Sequence, residues 1–246
     1  MIKHLFEWLI VAHIVTGTVG LISLWVPIIG RKGGKIHKRW GQVFTQALLW
    51  TGSFAVGISF CTLIAPIETH QFWDDAALIR AVFGWMMLYL AIMTIALSHY
   101  GLQCIRNRQD HAKNRTPLNL FLQLATFVTA LNCAVQGWLV NQPLLVGMSI
   151  VGLAAGVLNT HFILRSTPPP QEWLIQHSRG LVGAGISVYT AFLAFGAVNA
   201  MPQLAFSPIV WATPCTLGVI YLLYHQFKII RSRRRLLKLK QAAAHH

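Results

Sequence analysis

Blocks of about 20 apolar residues repeat along the chain, and the short segments between them hold nearly all of its charges. An α-helix rises about 1.5 Å per residue, so each block can cross the roughly 30 Å hydrocarbon core of a membrane. Transmembrane β-strands would be shorter and would alternate polar with apolar side chains. Helices also pair their own backbone groups where water is absent. The pattern predicts an all-α fold: a polytopic membrane helix bundle of about seven transmembrane helices.

Composition supports this class, since 55% of the 246 residues are apolar and 11% are charged, whereas about a quarter of a soluble domain is charged.

The spans are predicted at Leu5 to Ile29, Gly41 to Ala65, Ala76 to Ser98, Leu118 to Val140, Pro143 to Leu164, Gly180 to Ala200 and Pro208 to Ile230. Residues 1–230 then form a single transmembrane bundle, and residues 231–246 form a basic tail. We interpret the final Ala-Ala-Ala-His-His as a purification-tag remnant and exclude it.

The distribution of basic residues predicts the orientation of the bundle. On one side of the predicted membrane lie 18 of the 20 Lys and Arg residues, and the other side keeps Lys3 and Arg80. The positive-inside rule makes the first side cytoplasmic, so the N-terminus is expected outside and the C-terminus inside. The net charge of +14 is therefore assigned to topology and does not predict a nucleic-acid partner.

The tail sequence Arg231-Ser232-Arg233-Arg234-Arg235 is expected to continue the last helix beyond the membrane. A topology anchor is the simpler interpretation of these charges. Binding of anionic lipid headgroups is the alternative.

The six carboxylates all lie in connections or near helix ends. Proton-driven transporters usually place an acid at mid-membrane, and zinc hydrolases usually need a carboxylate beside the metal-bound water. Both classes are therefore disfavoured by the sequence.

Histidines mark one end of the predicted bundle. His37, His99, His161, His177 and His225 fall at or just inside the cytoplasmic ends of five spans. Imidazole binds iron, copper and zinc, and two opposed imidazoles supply the axial ligands of a b-type haem. Histidines at helix ends also extend toward lipid headgroups without any cofactor, and that interpretation stays open.

Arginines accompany several of these histidines, in His37-Lys38-Arg39, in His111 to Arg115 and in His177-Ser178-Arg179. Arginine binds carboxylates through a bidentate fork, so Arg39 and Arg179 are predicted to hold haem propionates. His37 and His177 are the favoured ligands, followed by His99, His161 and His225; for zinc or copper the set is His37, His177 and His99. His111 is interpreted as a loop residue.

A second group of polar residues is predicted in the outer leaflet. His13 with Cys61, Cys133 and Cys215 has the ligand types of a zinc or copper(I) site, although buried cysteines usually behave as small apolar residues. His13 with Asn132 or Gln136 is the alternative, as polar contacts for a quinone headgroup.

Two sequence stretches resemble those of a bacterial family of multi-helix membrane proteins known as a domain of unknown function. The first is Gly30-Arg31-Lys32-Gly33-Gly34-Lys35-Ile36-His37-Lys38-Arg39-Trp40-Gly41, preceded by His13 and Gly17. The second is His177-Ser178-Arg179-Gly180-Leu181-Val182-Gly183-Ala184, followed by Thr190-Ala191-Phe192. The resemblance implies a bacterial inner (cytoplasmic) membrane location and points to His13, His37 and His177. The chain is also loosely similar to small membrane cytochromes b.

These patterns predict a membrane redox protein that binds b-type haem on its cytoplasmic side and exchanges electrons with a quinone-like carrier. The alternatives are a non-redox zinc or copper protein acting as sensor, transporter or hydrolase, and a cofactor-free assembly or binding protein. Expected partners are the lipid bilayer, a quinone, anionic lipids at the tail and further copies of the chain. The sequence predicts no particular catalytic residue.

Overall fold

The computed structural model of the chain describes residues 1–196 and 207–244. Seven long helices account for most of this described part, and it contains no β-strand. They are α1 (Ile2–Ile29), α2 (Lys35–Ile64), α3 (Ala76–Arg106), α4 (Pro117–Leu139), α5 (Pro143–Leu164), α6 (Glu172–Ala191) and α7 (Pro208–Ala244). A one-turn helix, Pro66–Thr69, lies between α2 and α3, a 3₁₀ turn, His111–Asn114, lies between α3 and α4, and a π-helical turn, Phe192–Gly196, extends α6. The predicted all-α class is confirmed.

Five of these helices, α1 to α5, are long and apolar enough to cross a membrane. Apolar helices of this length are typical of membrane proteins, and these five are the candidate spans in the described part of the chain. Helix α6 begins at Glu172 and carries Arg179 two turns later. Residues 197–200 of the predicted sixth span lie outside the described part. That α6 and α7 also cross the membrane, and that the N-terminus is outside, stay predictions.

Helix boundaries follow local signals in the sequence. The Asp75 carboxylate accepts hydrogen bonds from the backbone N–H groups of Ala77 and Leu78 at the start of α3, and Thr116 does the same for Asn119 at the start of α4. Pro117 and Pro143 occupy the first turns of α4 and α5, where a missing N–H costs nothing. Helix α5 spans Pro143–Leu164, as the sequence predicted.

Helix α3 occupies the centre of the bundle. It packs against α2, α4 and α6, and 72% of its most apolar stretch is buried, the largest share among the candidate spans. Around it, α1 packs on α2, α5 on α4 and α7 on α6. This is why Leu48, Met86, Tyr89, Cys133 and Ala184, from four different helices, belong to one buried cluster.

Side-chain hydrogen bonds reinforce the contacts of α6 with its neighbours. The hydroxyls of Thr94 on α3 and Ser187 on α6 lie 2.9 Å apart. The hydroxyl of Tyr189 on α6 donates to the carbonyl of Leu21 on α1 over 2.9 Å. In a membrane such polar pairs join helices that apolar contact alone would not order.

Candidate functional site

Two of the predicted ligands, His37 and His177, lie at the junction of α1, α2, α3 and α6. The Nδ1 atom of His37, in the first turn of α2, is 3.2 Å from the carbonyl oxygen of Pro27 near the end of α1. The Nδ1 atom of His177, near the start of α6, is 2.8 Å from the carbonyl oxygen of Gly101 on α3. Both side chains are partly buried. Each imidazole therefore ties its own helix to the backbone of another.

The Pro27 carbonyl is available because α1 ends two residues later, at Ile29. The last carbonyls of a helix have no intrahelical N–H partner. Here the Lys32 ammonium donates to the carbonyls of Pro27, over 2.8 Å, and Ile28. Lys32 and His37 thus cap the end of α1 and fix the Arg31 to Gly34 turn beneath it.

The Gly101 carbonyl is reached because α3 and α6 cross in backbone contact at two glycines. A Cβ on Gly180 would lie 2.7 Å from the Cα of Gly101, so no side chain fits between the helices there. His177 lies about one turn before Gly180 and meets α3 at this crossing. The glycine pair therefore sets the position of the imidazole.

Hydrogen bonding fixes the tautomer of both rings. A carbonyl oxygen can only accept, so Nδ1 carries the proton in each ring and Nε2 keeps its lone pair while the ring is neutral. No hydrogen bond to either Nε2 is present within the described part of the chain. The rings are also close enough for a charge on His37 to act on His177. An imidazole held by Nδ1 with Nε2 open is the usual arrangement of a metal-ligating histidine.

His13 shows the same arrangement on the α1–α2 pair. Its Nδ1 atom lies 3.0 Å from the Thr51 carbonyl oxygen, and the Thr51 hydroxyl lies 3.0 Å from that of Thr16. The three histidines singled out by the family resemblance therefore all anchor Nδ1 on a backbone carbonyl of a different helix.

The other three histidines of the predicted layer are placed differently. His99 is partly buried on α3, and its Nε2 is enclosed without a hydrogen-bond partner among the described residues. His161 is exposed on α5. His225 packs against Tyr221 and Tyr224 of its own helix, with ring centroids 4.3 and 5.3 Å away. His225 also lies within electrostatic range of Lys32, at the same end as His37.

Arg39 and Arg179, which the sequence predicted to hold haem propionates, have different surroundings. Arg39 is two residues from His37, nearly opposite on the helix, and lines an open groove between α1 and α2. Arg179 donates to the side-chain oxygen of Gln226 on α7 over 2.7 Å. Helical phase therefore directs Arg39 away from His37, and the hydrogen bond to Gln226 holds Arg179 at the α6–α7 contact.

The outer-leaflet group is not assembled in the described structure. His13 lies between α1 and α2, whereas Asn132 and Gln136 lie on α4, which packs against α3 and α5. Asn132 Nδ2 is enclosed without a partner in the described residues. Cys61 and Cys133 are buried, Cys215 is partly buried, and all three are free thiols. Among the described residues no three His, Cys, Asp or Glu side chains converge where they could hold a metal ion.

Sequence reasoning missed a buried carboxamide network between α4, α5 and the His111–Asn114 turn. Asn159 Nδ2 donates to Gln123 Oε1 over 3.0 Å, and Asn119 Nδ2 donates to the Asn114 carbonyl over 2.8 Å. Gln123 Nε2 and Asn119 Oδ1 are buried without partners in the part described. His111 joins this network, with Nδ1 3.3 Å from Asn114 Nδ2. The available signal was the four-residue spacing of Asn119 and Gln123 within a predicted span.

Together these features define, in the described residues, an all-helical bundle with five candidate membrane spans and two imidazoles anchored at one end. In comparisons with known proteins, no family model, no curated protein and no solved structure matches this chain. The family resemblance stays a prediction from the two sequence stretches.

Proposed function

We propose that this protein is a membrane redox protein that binds a b-type haem through His37 and His177. The observation that supports the proposal is the shared geometry of these rings, each with Nδ1 on a backbone carbonyl and Nε2 open. A carbonyl bond at Nδ1 raises the basicity of the imidazole and fixes its orientation. Both effects favour coordination of iron through Nε2.

The number of converging side chains supports haem over zinc or copper. A porphyrin supplies four ligands in its plane, so the protein needs to contribute two axial imidazoles. A structural zinc site takes four protein ligands and a catalytic one takes three. The first requirement is supported by His37 and His177 lying within electrostatic range of each other.

In this proposal the haem supplies reversible one-electron chemistry, and the chain holds and surrounds it. His37 and His177 would hold the haem through Nε2, and the Pro27 and Gly101 carbonyls orient the two rings. Arg179 takes the propionate role that the sequence also gave to Arg39. Electron exchange with a quinone-like carrier, the N-out orientation and the bacterial inner membrane belong to the same proposal.

Absorption spectroscopy of the detergent-solubilised chain tests the haem. We expect a Soret band that shifts on addition of dithionite, with about one haem per chain. His37→Ala and His177→Ala should each lose that band, because a b-type haem without one axial ligand is held weakly. His161→Ala is the matched control, since this residue is exposed and lies on α5, which is not one of the four helices of the junction.

Other outcomes contradict the proposal in distinguishable ways. Full haem retention in both His37→Ala and His177→Ala overturns the ligand assignment. Stoichiometric zinc or copper without a Soret band overturns the haem in favour of a non-redox metal protein. Neither metal nor haem, even after expression with added haemin, favours a cofactor-free binding or assembly protein.

A further inference from the structure

A groove of about 450 Å³ runs along the outer surface of the bundle between α1 and α2. Its apolar part comes from Val15 and Val19 on α1 and Val43 on α2. The lining is almost entirely apolar, and Arg39, Gln42 and Gln46, which lie three and four residues apart on one face of α2, add only a small polar area to it. The groove is shallow and largely open, so a ligand in it would remain in contact with its surroundings.

The three polar side chains of the groove have no hydrogen-bond or ionic partner among the residues that the structure describes. Arg39, Gln42 and Gln46 are exposed, and no side-chain hydrogen bond or ion pair joins any of them to another described residue. All three stand on a helix that is long and apolar enough to cross a membrane. An unpaired carboxamide facing hydrocarbon is costly, so the two glutamines call for a hydrogen-bonding ligand from outside the chain.

The three polar residues are ordered by depth. Arg39 lies in the basic first turns of α2, with Lys35 and Lys38, where headgroups are expected. Gln46 lies seven residues further along, about 10 Å deeper at about 1.5 Å per residue. The cation therefore lies nearest the headgroup region, and the two carboxamides lie deeper, among the valines that line the groove. In a phospholipid the phosphate likewise lies above the ester carbonyls and the acyl chains.

We infer that the α1–α2 groove binds one anionic phospholipid. Arg39 pairs with its phosphate, Gln42 and Gln46 donate to its ester carbonyls, and an acyl chain lies along Val15, Val19 and Val43. Charge selects this occupant, because a neutral quinone leaves the Arg39 guanidinium unpaired. If a second copy of the chain occupied the groove across a two-fold axis, the two Arg39 guanidinium groups would face and repel each other. The inference does not depend on haem binding.

Native mass spectrometry tests the groove. The full chain is purified in detergent, incubated with a defined lipid and then freed of detergent in the spectrometer. With phosphatidylglycerol we expect one lipid per chain to be retained most tightly, and phosphatidylcholine to be retained less. Arg39→Ala should weaken that binding about fivefold, the typical effect of one basic residue at an anionic lipid surface. Gln46→Leu should weaken it as well and leave an apolar surface of similar size. Because both residues are exposed, folding is not expected to suffer.

Two controls separate the groove from other basic surfaces. Arg231→Ala in the tail and Arg106→Ala at the end of α3, both exposed, should leave the tightly held lipid unchanged. Equal retention of the two lipids, or an Arg39→Ala variant that binds like the wild type, overturns the inference. So does a ubiquinone analogue that displaces phosphatidylglycerol from the groove. A dimer that Gln42→Leu and Gln46→Leu together abolish also overturns it, in favour of a second copy of the chain.

Discussion

Gly180 on α6 lies against Gly101 on α3 so closely that a Cβ on Gly180 would stand 2.7 Å from the Gly101 Cα and 2.8 Å from the Leu97 carbonyl oxygen. The atoms it would meet are backbone and cannot rotate away. The crossing therefore depends on both residues being glycine, and it is also the contact that places His177 on the Gly101 carbonyl.

Gly180→Ala should destabilise the protein by about 1–3 kcal/mol, the usual cost of overpacking, despite the better helix propensity of alanine. Thermal unfolding in detergent measures this as a lower melting temperature. Gly147→Ala is the matched control, because a Cβ on that exposed glycine of α5 meets no atom within 4 Å. We expect the control to be neutral or more stable by about 0.5–1 kcal/mol. Equal melting temperatures for the two variants would show that the helices separate without cost.

Acidification should destabilise the connection between α2 and α3 through His70. This imidazole is sandwiched between Phe6 and Phe83, with ring centroids 5.5 and 4.4 Å away, and burial lowers its pKa from 6.5 to about 4. Between pH 6.5 and 4, His70 therefore binds a proton in the unfolded chain but not in the folded chain, and protonation favours unfolding. The stability that His70 contributes is complete above pH 6.5 and is lost as the pH falls toward 4.

His70→Phe keeps an aromatic ring in this position and removes the titration. Melting temperatures of the wild type and the variant are measured between pH 7.5 and 4. Their difference should be constant above pH 6.5, and below it the wild type should lose stability relative to the variant. The constant offset includes the lost contact of His70 Nδ1 with the Thr69 hydroxyl, 3.0 Å away. Parallel curves across the whole range would assign the acid sensitivity to other groups.

Substitutions in the carboxamide network should be strongly non-additive. Asn159→Leu removes the donor to Gln123 Oε1. Gln123 Nε2 is already without a partner in the described residues, so the variant leaves Gln123 with two unpaired polar atoms. The double variant with Gln123→Leu and Asn159→Leu leaves neither of these polar atoms in the protein. We expect Asn159→Leu alone to be less stable than the double variant, by about 1 kcal/mol or more. Additive losses in a thermal-unfolding cycle would contradict a direct contact.

The basic tail should be attached weakly and in a salt-dependent way. Arg233 Nη1 lies 3.9 Å from the Glu172 carboxylate, with side chains 24% and 20% exposed, and 3.3 Å from the Pro170 carbonyl. Partly exposed pairs of this kind contribute up to about 1 kcal/mol, and salt screens them. Arg233→Ala should speed tryptic cleavage of the tail at low salt more than at high salt. Arg234→Ala, an exposed neighbour, should leave the rate unchanged; an equal effect of both would indicate general loss of charge.

Much of the helical architecture follows from sequence features that act locally. Pro117, Pro143, Thr116 and Asp75 mark helix starts through groups that satisfy or remove free N–H donors. Span lengths follow from the width of the membrane, which the runs of apolar residues match. For this reason α5 agrees with its predicted boundaries residue for residue, and α1 and α4 agree within a few residues.

The sequence also directed attention to His37 and His177, since histidines near span ends are unusual enough to be noticed. It could not show that Arg39 turns away from His37, because helical phase matters only once neighbouring helices are placed. Nor could it pair Asn159 with Gln123, 36 positions apart.

By itself, then, the sequence determined a helical fold with apolar helices of membrane-spanning length, where most of the long helices begin, and which imidazoles lie near their ends. These features depend on hydrophobicity, capping and length within each segment. Tertiary packing alone decided that α3 lies at the centre, that Gly101 meets Gly180, and that His13, His37 and His177 each bond a carbonyl on another helix. Those contacts depend on the mutual rotation and separation of helices, which are set by shape complementarity between distant side chains and leave no periodic trace in the sequence.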